Sequence, residues 1–93
     1  MDFDFSIEQI KLVGSEQGYD MTEGTRSFEI FIDNYHAVAF KVVANATSGY
    51  IQVHQWEGAN GEYGRGVYSL RSYSDVVNFC NILVASANIR ARR

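Results

Sequence analysis

Alternation of apolar and polar residues predicts two consecutive β-strands in the first half of the chain. Every second residue is apolar in the stretch RSFEIFIDN, at Phe28, Ile30 and Ile32. Phe31 breaks this pattern, because it falls on the polar face. After a turn at 33–35, alternation resumes in HAVAFKVVA, with Val38, Phe40 and Val42 as its apolar positions. We expect the two strands to pair as an antiparallel hairpin.

The stretch WEGANGEYGRG, from Trp56 to Gly66, contains four glycines and joins two further predicted strands, YIQVHQW and GVYSLR. A phosphate-binding loop leads into a helix N-terminus, whereas a β-like stretch follows here, which argues against a phosphate site. The pair Asn60-Gly61 instead favours a two-residue hairpin turn, because a type I′ turn needs positive φ at both central residues.

This turn predicts the register of the hairpin, with Trp56 opposite Arg65 and Gln52 opposite Ser69. Ile51 then lies on the core face, and the other face carries aromatic and basic residues. Tryptophan and arginine are frequent hot-spot residues, so we predict that this hairpin face binds a partner. Its candidate residues are Tyr50, His54, Trp56, Arg65 and Arg71.

Helical spacing is clearest in the last third of the chain. Ser72 and Asp75 form a capping-box pattern that predicts a C-terminal helix over about 73–89. The apolar stripe expected to face the core consists of Tyr73, Val76, Val77, Cys80, Leu83, Val84 and Ala87. Residues 90–93 are expected to form a basic tail.

The opposite side of this helix carries no charge between Asp75 and Arg90. Charge depletion beside apolar groups is typical of a protein interface, including one between two copies of a chain. We therefore consider self-association into a homodimer through Asn78, Phe79 and Ile82. The alternative is that Phe79 and Ile82 only widen the core stripe.

The first fifteen residues fit two structures. Phe3, Phe5 and Ile7 alternate as in a strand, which favours a strand from Phe3 to about Val13. Ser6 and Gln9 form a capping-box pattern, so a short helix is the alternative. A loop is expected from there to the first alternating strand. The whole pattern predicts an α+β domain, an antiparallel sheet of about five strands with one C-terminal helix on one face.

Composition supports a single compact domain spanning residues 1–93. Hydrophobic residues make up 46% of the chain, and proline is absent. The single cysteine, Cys80, excludes an internal disulfide and a cysteine-based zinc site. No stretch has the length of a membrane span, and the N-terminus is acidic where a signal peptide would be basic. These features predict a cytoplasmic protein that does not contact a membrane.

Charge is unevenly distributed along the chain. Residues 1–47 contain eight acids and three bases, a net charge of −5, whereas residues 48–93 contain three acids and five bases, a net charge of +2. An acidic surface favours docking on a basic partner through electrostatic attraction. The candidate acidic residues are Asp2, Asp4, Glu8, Glu16, Asp20, Glu23, Glu29 and Asp33.

Few residues are suited to catalysis. His36 and His54 lack the spacing of a metal or catalytic motif, and Cys80 lies on the predicted core stripe. A small sheet with one helix also offers little cleft. We therefore expect a non-enzymatic protein without metal or cofactor.

The order of strand, tryptophan, glycine-rich turn with arginine, strand and helix over Tyr50 to Ala87 loosely resembles the end of a WGR domain. That family is associated with nucleic-acid-dependent enzymes. Its defining tripeptide is absent here, because Trp56 is followed by Glu57-Gly58 and the arginine comes only at position 65. We therefore assign the chain to no family on this resemblance.

The preferred hypothesis is a binding protein that inhibits or neutralises another protein or a nucleoprotein complex. Small acidic α+β domains without catalytic groups are common among phage-encoded inhibitors, such as anti-CRISPR proteins, and among toxin-immunity proteins. The alternative is a nucleic-acid-binding module that uses Trp56, Arg65 and Arg71. Nucleic acid ranks below protein as a partner because the net charge is −3.

Overall fold

The computed structural model describes residues 2–32, 35–45, 49–57 and 61–91. The elements are α1 (Phe3–Glu16), β1 (Asp20–Gly24), β2 (Ser27–Ile32), β3 (Tyr35–Asn45), β4 (Tyr50–Glu57), β5 (Glu62–Leu70) and α2 (Tyr73–Ala91). Several positions named above lie outside the described residues: Asp33, Asn60, and residues 92 and 93 of the expected tail. The side chain of His36 also lies outside the described part.

The five strands form one antiparallel sheet in the order β1-β2-β3-β4-β5. Each strand pairs with its neighbour in sequence, so the sheet is a meander of hairpins. The predicted α+β class, the five-stranded antiparallel sheet and the C-terminal helix are confirmed. Two secondary-structure assignments are wrong, and both concern the first 24 residues.

The expected strand from Phe3 to Val13 is the helix α1. Asp2 caps it, because its carboxylate accepts a hydrogen bond from the Phe5 N–H at 3.0 Å. The alternation of the first apolar residues was misleading, since Ile10 and Gly14 continue at helical spacing and are buried. Helix capping by Asp2 begins the helix before the predicted capping box at Ser6.

A Schellman motif ends α1. The Tyr19 N–H donates to the Gly14 carbonyl at 2.9 Å, and the Gly18 N–H donates to the Ser15 carbonyl at 3.2 Å. Gly18 has the positive φ of 85° that this motif requires. The strand β1 follows at once, in a stretch expected to be a loop. Most of its residues are polar and exposed because it forms an edge of the sheet, so it lacks the usual alternation.

The helix α2 begins at Tyr73, as predicted, and continues to Ala91. The Asp75 N–H lies 3.4 Å from the Ser72 hydroxyl oxygen, and the Asp75 carboxylate accepts from the Arg71 N–H at 2.9 Å. The carboxylate thus reaches one residue beyond the N-cap of a standard capping box. At its other end, α2 includes residues 90 and 91, the first two of the expected basic tail.

The predicted core stripe of α2 is partly wrong. Val76, Leu83 and Ala87 are buried as expected, whereas Tyr73 is 50% exposed and Val77 is 43% exposed. Their place in the core is taken by Phe79, which is 1% exposed. The helix is therefore rotated about its axis relative to the prediction, because the large Phe79 ring fills the space above the sheet.

Both helices pack on one face of the sheet and share one hydrophobic core. Phe5 contacts Tyr73 near the start of the two helices, and the Tyr19 hydroxyl, just after α1, donates to the Leu83 carbonyl of α2 at 2.8 Å. The helices therefore run in the same direction. The other face of the sheet carries no helix among the described residues. None of the described helices combines the length and apolar character that a membrane span requires.

Candidate functional site

The β4–β5 hairpin has a register different from the prediction at its loop end. Gln52 pairs with Ser69 as predicted, but His54 pairs with Gly66 and Trp56 pairs with Tyr63. Two register shifts separate these pairs, and each adds one residue to β5. The predicted pairing of Trp56 with Arg65 is therefore wrong. The last described pair of the hairpin is Glu57 with Glu62, and the expected turn at Asn60-Gly61 falls partly outside the described residues.

Two side chains of β4 lie against the bulged segment of β5. The Gln52 amide donates to the Tyr68 carbonyl at 3.1 Å and accepts from the Ser69 hydroxyl at 3.3 Å. The His54 ring nitrogen Nδ1 lies 2.9 Å from the Gly64 carbonyl oxygen. A carbonyl oxygen only accepts, so Nδ1 carries the proton and a neutral His54 presents Nε2 as an acceptor.

Gly66, in the bulged segment of β5, leaves room for the Gln52 side chain. A Cβ at position 66 would lie 1.7 Å from the Gln52 Nε2 atom. The glycines of this stretch thus allow close packing of side chains across the hairpin. This is a structural use of the glycine-rich segment, and it requires no bound phosphate.

The helix-free side of the sheet, which we call the open face, is organised in rows that run across the strands. One row consists of residues paired in succession: Thr22, Glu29, Lys41, His54 and Gly66. It places a carboxylate (Glu29), an ammonium group (Lys41) and an imidazole (His54) side by side on β2, β3 and β4. The next row towards the β4–β5 loop is aromatic and includes Asp20 paired with Phe31 and Trp56 paired with Tyr63.

The aromatic row lines an open recess of about 180 Å³, which we call the aromatic recess. Its lining residues are Glu29, Phe31, Ala39, Trp56 and Tyr63. The Trp56 and Tyr63 rings meet edge to face, with centroids 5.1 Å apart. Ala39 is only 4% exposed although it points away from the helices, so the aromatic side chains around it cover this part of the open face.

Glu29 gives the aromatic recess a negative charge. Burial of the phenol and the nearby Glu29 carboxylate together raise the pKa of Tyr63 to about 12. Lys41 is the direct neighbour of Glu29 across the strands, yet no salt bridge forms between them. Within the described part of the chain, the Glu29 carboxylate has neither an ion-pair nor a hydrogen-bond partner.

The basic residues of the predicted binding face are separated from Trp56. The Arg71 guanidinium stacks on the Tyr50 ring, 4.3 Å from its centroid, at the other end of β4. Six residues of extended strand place Tyr50 about 20 Å from Trp56. Arg65 is exposed on β5, but Tyr63 occupies the position opposite Trp56. The predicted surface is therefore divided into an aromatic end and a Tyr50–Arg71 end.

Seven of the eight predicted acidic residues belong to α1, β1 and β2 or cap α1, and we call this group the acidic edge. Among residues 2–32, seven acids and two bases give a net charge of −5. Lys11 of α1 forms a salt bridge with Glu23 of β1, and it is the only one found among the described residues. The described members of the acidic edge are Asp2, Asp4, Glu8, Glu16, Asp20, Glu23 and Glu29, all exposed except the half-buried Glu29.

The residues considered for self-association line one groove between α2 and β5. Asn78, Phe79 and Ile82 border this groove of about 360 Å³ together with Val67 of the edge strand. Phe79 is buried, however, so it supports the groove from below and offers no exposed surface. The apolar residues exposed on the helices are others: Phe5, Leu12, Tyr73 and Val77.

Sequence reasoning missed the roles of Phe31 and Tyr63 in the aromatic recess. The signal for Phe31 was present, because it is an aromatic residue on the polar face of an otherwise alternating strand. Tyr63 carried no such signal, since the two bulges that set it opposite Trp56 cannot be read from the pattern.

The candidate catalytic residues do not come together. Cys80 is half-buried on α2, and burial raises the pKa of its thiol above the usual value. His54 lies on the open face, on the other side of the sheet. Across the described ranges, no three acidic, histidine or cysteine side chains are grouped as metal ligands.

Comparison with protein-family models, with curated proteins and with solved structures gives no match for this chain.

Proposed function

We propose that this protein is a small binding protein that inhibits or neutralises a macromolecular partner through protein–protein contact. The carrying observation is the acidic edge, because seven carboxylates against two bases in residues 2–32 give α1, β1 and β2 a net charge of −5. Only Glu23 among them is neutralised by a salt bridge within the described residues. Such a surface attracts a basic partner and accelerates the encounter.

The proposal includes the kind of role and the compartment. A protein that covers the basic surface of a nucleic-acid-handling complex would block access of its substrate, as phage anti-defence proteins such as anti-CRISPR proteins do, and as toxin-immunity proteins do with toxins. We propose a cytoplasmic, non-enzymatic protein that acts by occupying its partner's surface. Size, acidity and fold class support this role.

The alternative, a nucleic-acid-binding module, has less support from the geometry. Trp56 lies far from the Arg71–Tyr50 stack, and Glu29 places a negative charge beside the aromatic residues. Phosphate groups would be repelled where bases would stack. This alternative stays a prediction, and the experiment below separates it from the preferred function.

Affinity capture from host lysate with three versions of the protein tests the proposal. The acidic edge is neutralised by Asp4→Asn, Glu8→Gln and Asp20→Asn, all exposed. Asp2 and Glu23 are left unchanged, because one caps α1 and the other pairs with Lys11. The third version carries Arg65→Ala and Arg71→Ala.

We expect the wild type to capture a protein and to inhibit the activity of that protein or its complex. Neutralising the acidic edge should abolish capture, while the double arginine variant should retain it. Recovery of DNA or RNA that depends on Arg65 and Arg71 would support the alternative instead. Failure to capture any protein, or capture without inhibition, would contradict the proposed function.

A further inference from the structure

We propose that the aromatic recess on the open face binds an arginine side chain of the partner protein. The inference deepens the proposed function and rests on it, because it names the group by which a basic protein partner would be recognised. The recess adjoins the part of the acidic edge that lies on β1 and β2, since Glu29 lines it and Asp20 pairs with Phe31.

The shape of the recess suits one side chain. Its volume of about 180 Å³ is bounded by three aromatic side chains, and the buried Ala39 forms part of the lining beneath them. Trp56 and Tyr63 stand at a steep angle of 84° to each other. A flat guanidinium can stack on one ring while the edge of the other closes the side.

The charge of the recess favours a cation. Aromatic faces attract cations electrostatically, and the attraction grows when the cation is shielded from water. Glu29 adds a carboxylate that has no partner among the described residues. Its charge is felt inside the recess, where burial and Glu29 together raise the pKa of Tyr63 to about 12. An anion would meet repulsion from the same groups.

Arginine fits this combination better than lysine does. Its guanidinium is planar, weakly hydrated and able to donate two parallel hydrogen bonds to a carboxylate while it stacks on an aromatic ring. A lysine ammonium is a strongly hydrated point charge without a face to stack. The source is a side chain of a protein, because Glu29 also belongs to the row of Lys41 and His54, so the recess borders a wider sheet surface that a protein can contact.

The fluorescence of Trp56 provides a direct readout, since it is the only tryptophan of the chain. The intact protein is titrated with three capped tripeptides whose central residue is arginine, citrulline or lysine. Citrulline keeps the planar shape of arginine and removes the charge. We expect a saturable change with the arginine peptide and an affinity about tenfold lower with citrulline, because its uncharged urea group still donates to the carboxylate but loses the charge that strengthens these hydrogen bonds.

Matched variants locate the binding. Glu29→Gln should weaken binding of the arginine peptide about tenfold. Glu62→Gln, which removes the same charge from an exposed acid of β5 that does not line the recess, should leave the affinity unchanged. Circular dichroism checks the fold of each variant, and the indole N–H resonance of Trp56 in the wild type gives a measurement that needs no variant. That resonance should shift with the arginine peptide.

Several results would overturn the inference. These are equal binding of arginine and citrulline peptides, equal binding of lysine and arginine peptides, no effect of Glu29→Gln, or no saturable response. The experiment is independent of partner capture. If peptides fail to bind while capture through the acidic edge succeeds, only the recess inference fails. If the arginine peptide binds while no protein is captured, the proposed function fails.

Discussion

Replacing Phe79 by alanine tests the orientation of α2, on which the position of every surface of that helix depends. Phe79 is 1% exposed, and its ring meets Phe40 edge-on with centroids 5.5 Å apart and Tyr68 at 5.9 Å. Val77, which the apolar spacing had directed to the core, is 43% exposed. Phe79 therefore occupies the core position that the apolar spacing had predicted for Val77.

The expected costs differ several-fold. Truncating a buried phenylalanine to alanine costs about 3–5 kcal/mol, because the transfer free energy of the ring and the cavity left behind add. Truncating Val77 removes methyl groups that already contact water, so the cost should be below about 1 kcal/mol. A chain of 93 residues has a total stability of about 5–14 kcal/mol, so Phe79→Ala removes a large part of it.

Urea unfolding followed by circular dichroism and by Trp56 fluorescence measures both free energies of unfolding. Phe79→Leu, which keeps more of the side-chain volume, serves as a second variant if Phe79→Ala is too unstable to fold. It should cost less than the alanine variant and more than Val77→Ala. A cost for Val77→Ala equal to that of Phe79→Ala would refute this orientation of α2.

Three further predictions concern other contacts. Gly14→Ala should lower the free energy of unfolding by about 1–3 kcal/mol in urea titrations, since its Cβ would lie 2.2 Å from the Ile30 Cδ1 atom; an unchanged or higher stability would show that the contact yields. The pKa of Tyr63, about 12 against an ordinary 10.0, should fall in Glu29→Gln when followed by ultraviolet difference titration, and an unchanged pKa would mean that the two groups do not interact. Because the folded pKa is the raised one, Tyr63 should also lower stability as pH rises from 10 towards 12. Cys80 should react with iodoacetamide more slowly in the folded than in the urea-unfolded protein, because burial raises the pKa of its thiol, and equal rates would contradict this.

The parts of the fold that were predictable are those with a strong local pattern. Alternation placed β2, β3 and the core face of β4, and the pattern at Ser72 and Asp75 placed the start of α2. The strand β1 was not predictable, because an exposed edge strand has little apolar alternation. At the N-terminus, the alternation from Phe3 to Ile7 indicated a strand. The helix instead buries Ile10 and Gly14 at helical spacing and is capped by Asp2.

The candidate site was predictable only in part. Trp56 was singled out, and the acidic residues were listed, but the partner of Trp56 in the hairpin was wrong. Two bulges on β5 each move the pairing by one residue. At the loop end the shift is therefore two residues, and Trp56 pairs with Tyr63 where Arg65 was predicted. Bulges depend on side-chain packing across strands, such as Gln52 over Gly66, and this packing is not visible in a single-strand pattern.

The measurement that tests the central claim most directly is the association rate with the captured partner as a function of salt concentration. If the acidic edge attracts a basic surface, the wild-type rate should fall steeply as salt screens the charges. The variant with Asp4→Asn, Glu8→Gln and Asp20→Asn should associate more slowly at low salt and respond less to added salt. A wild-type rate independent of salt, or equal rates for the two proteins, would contradict the account.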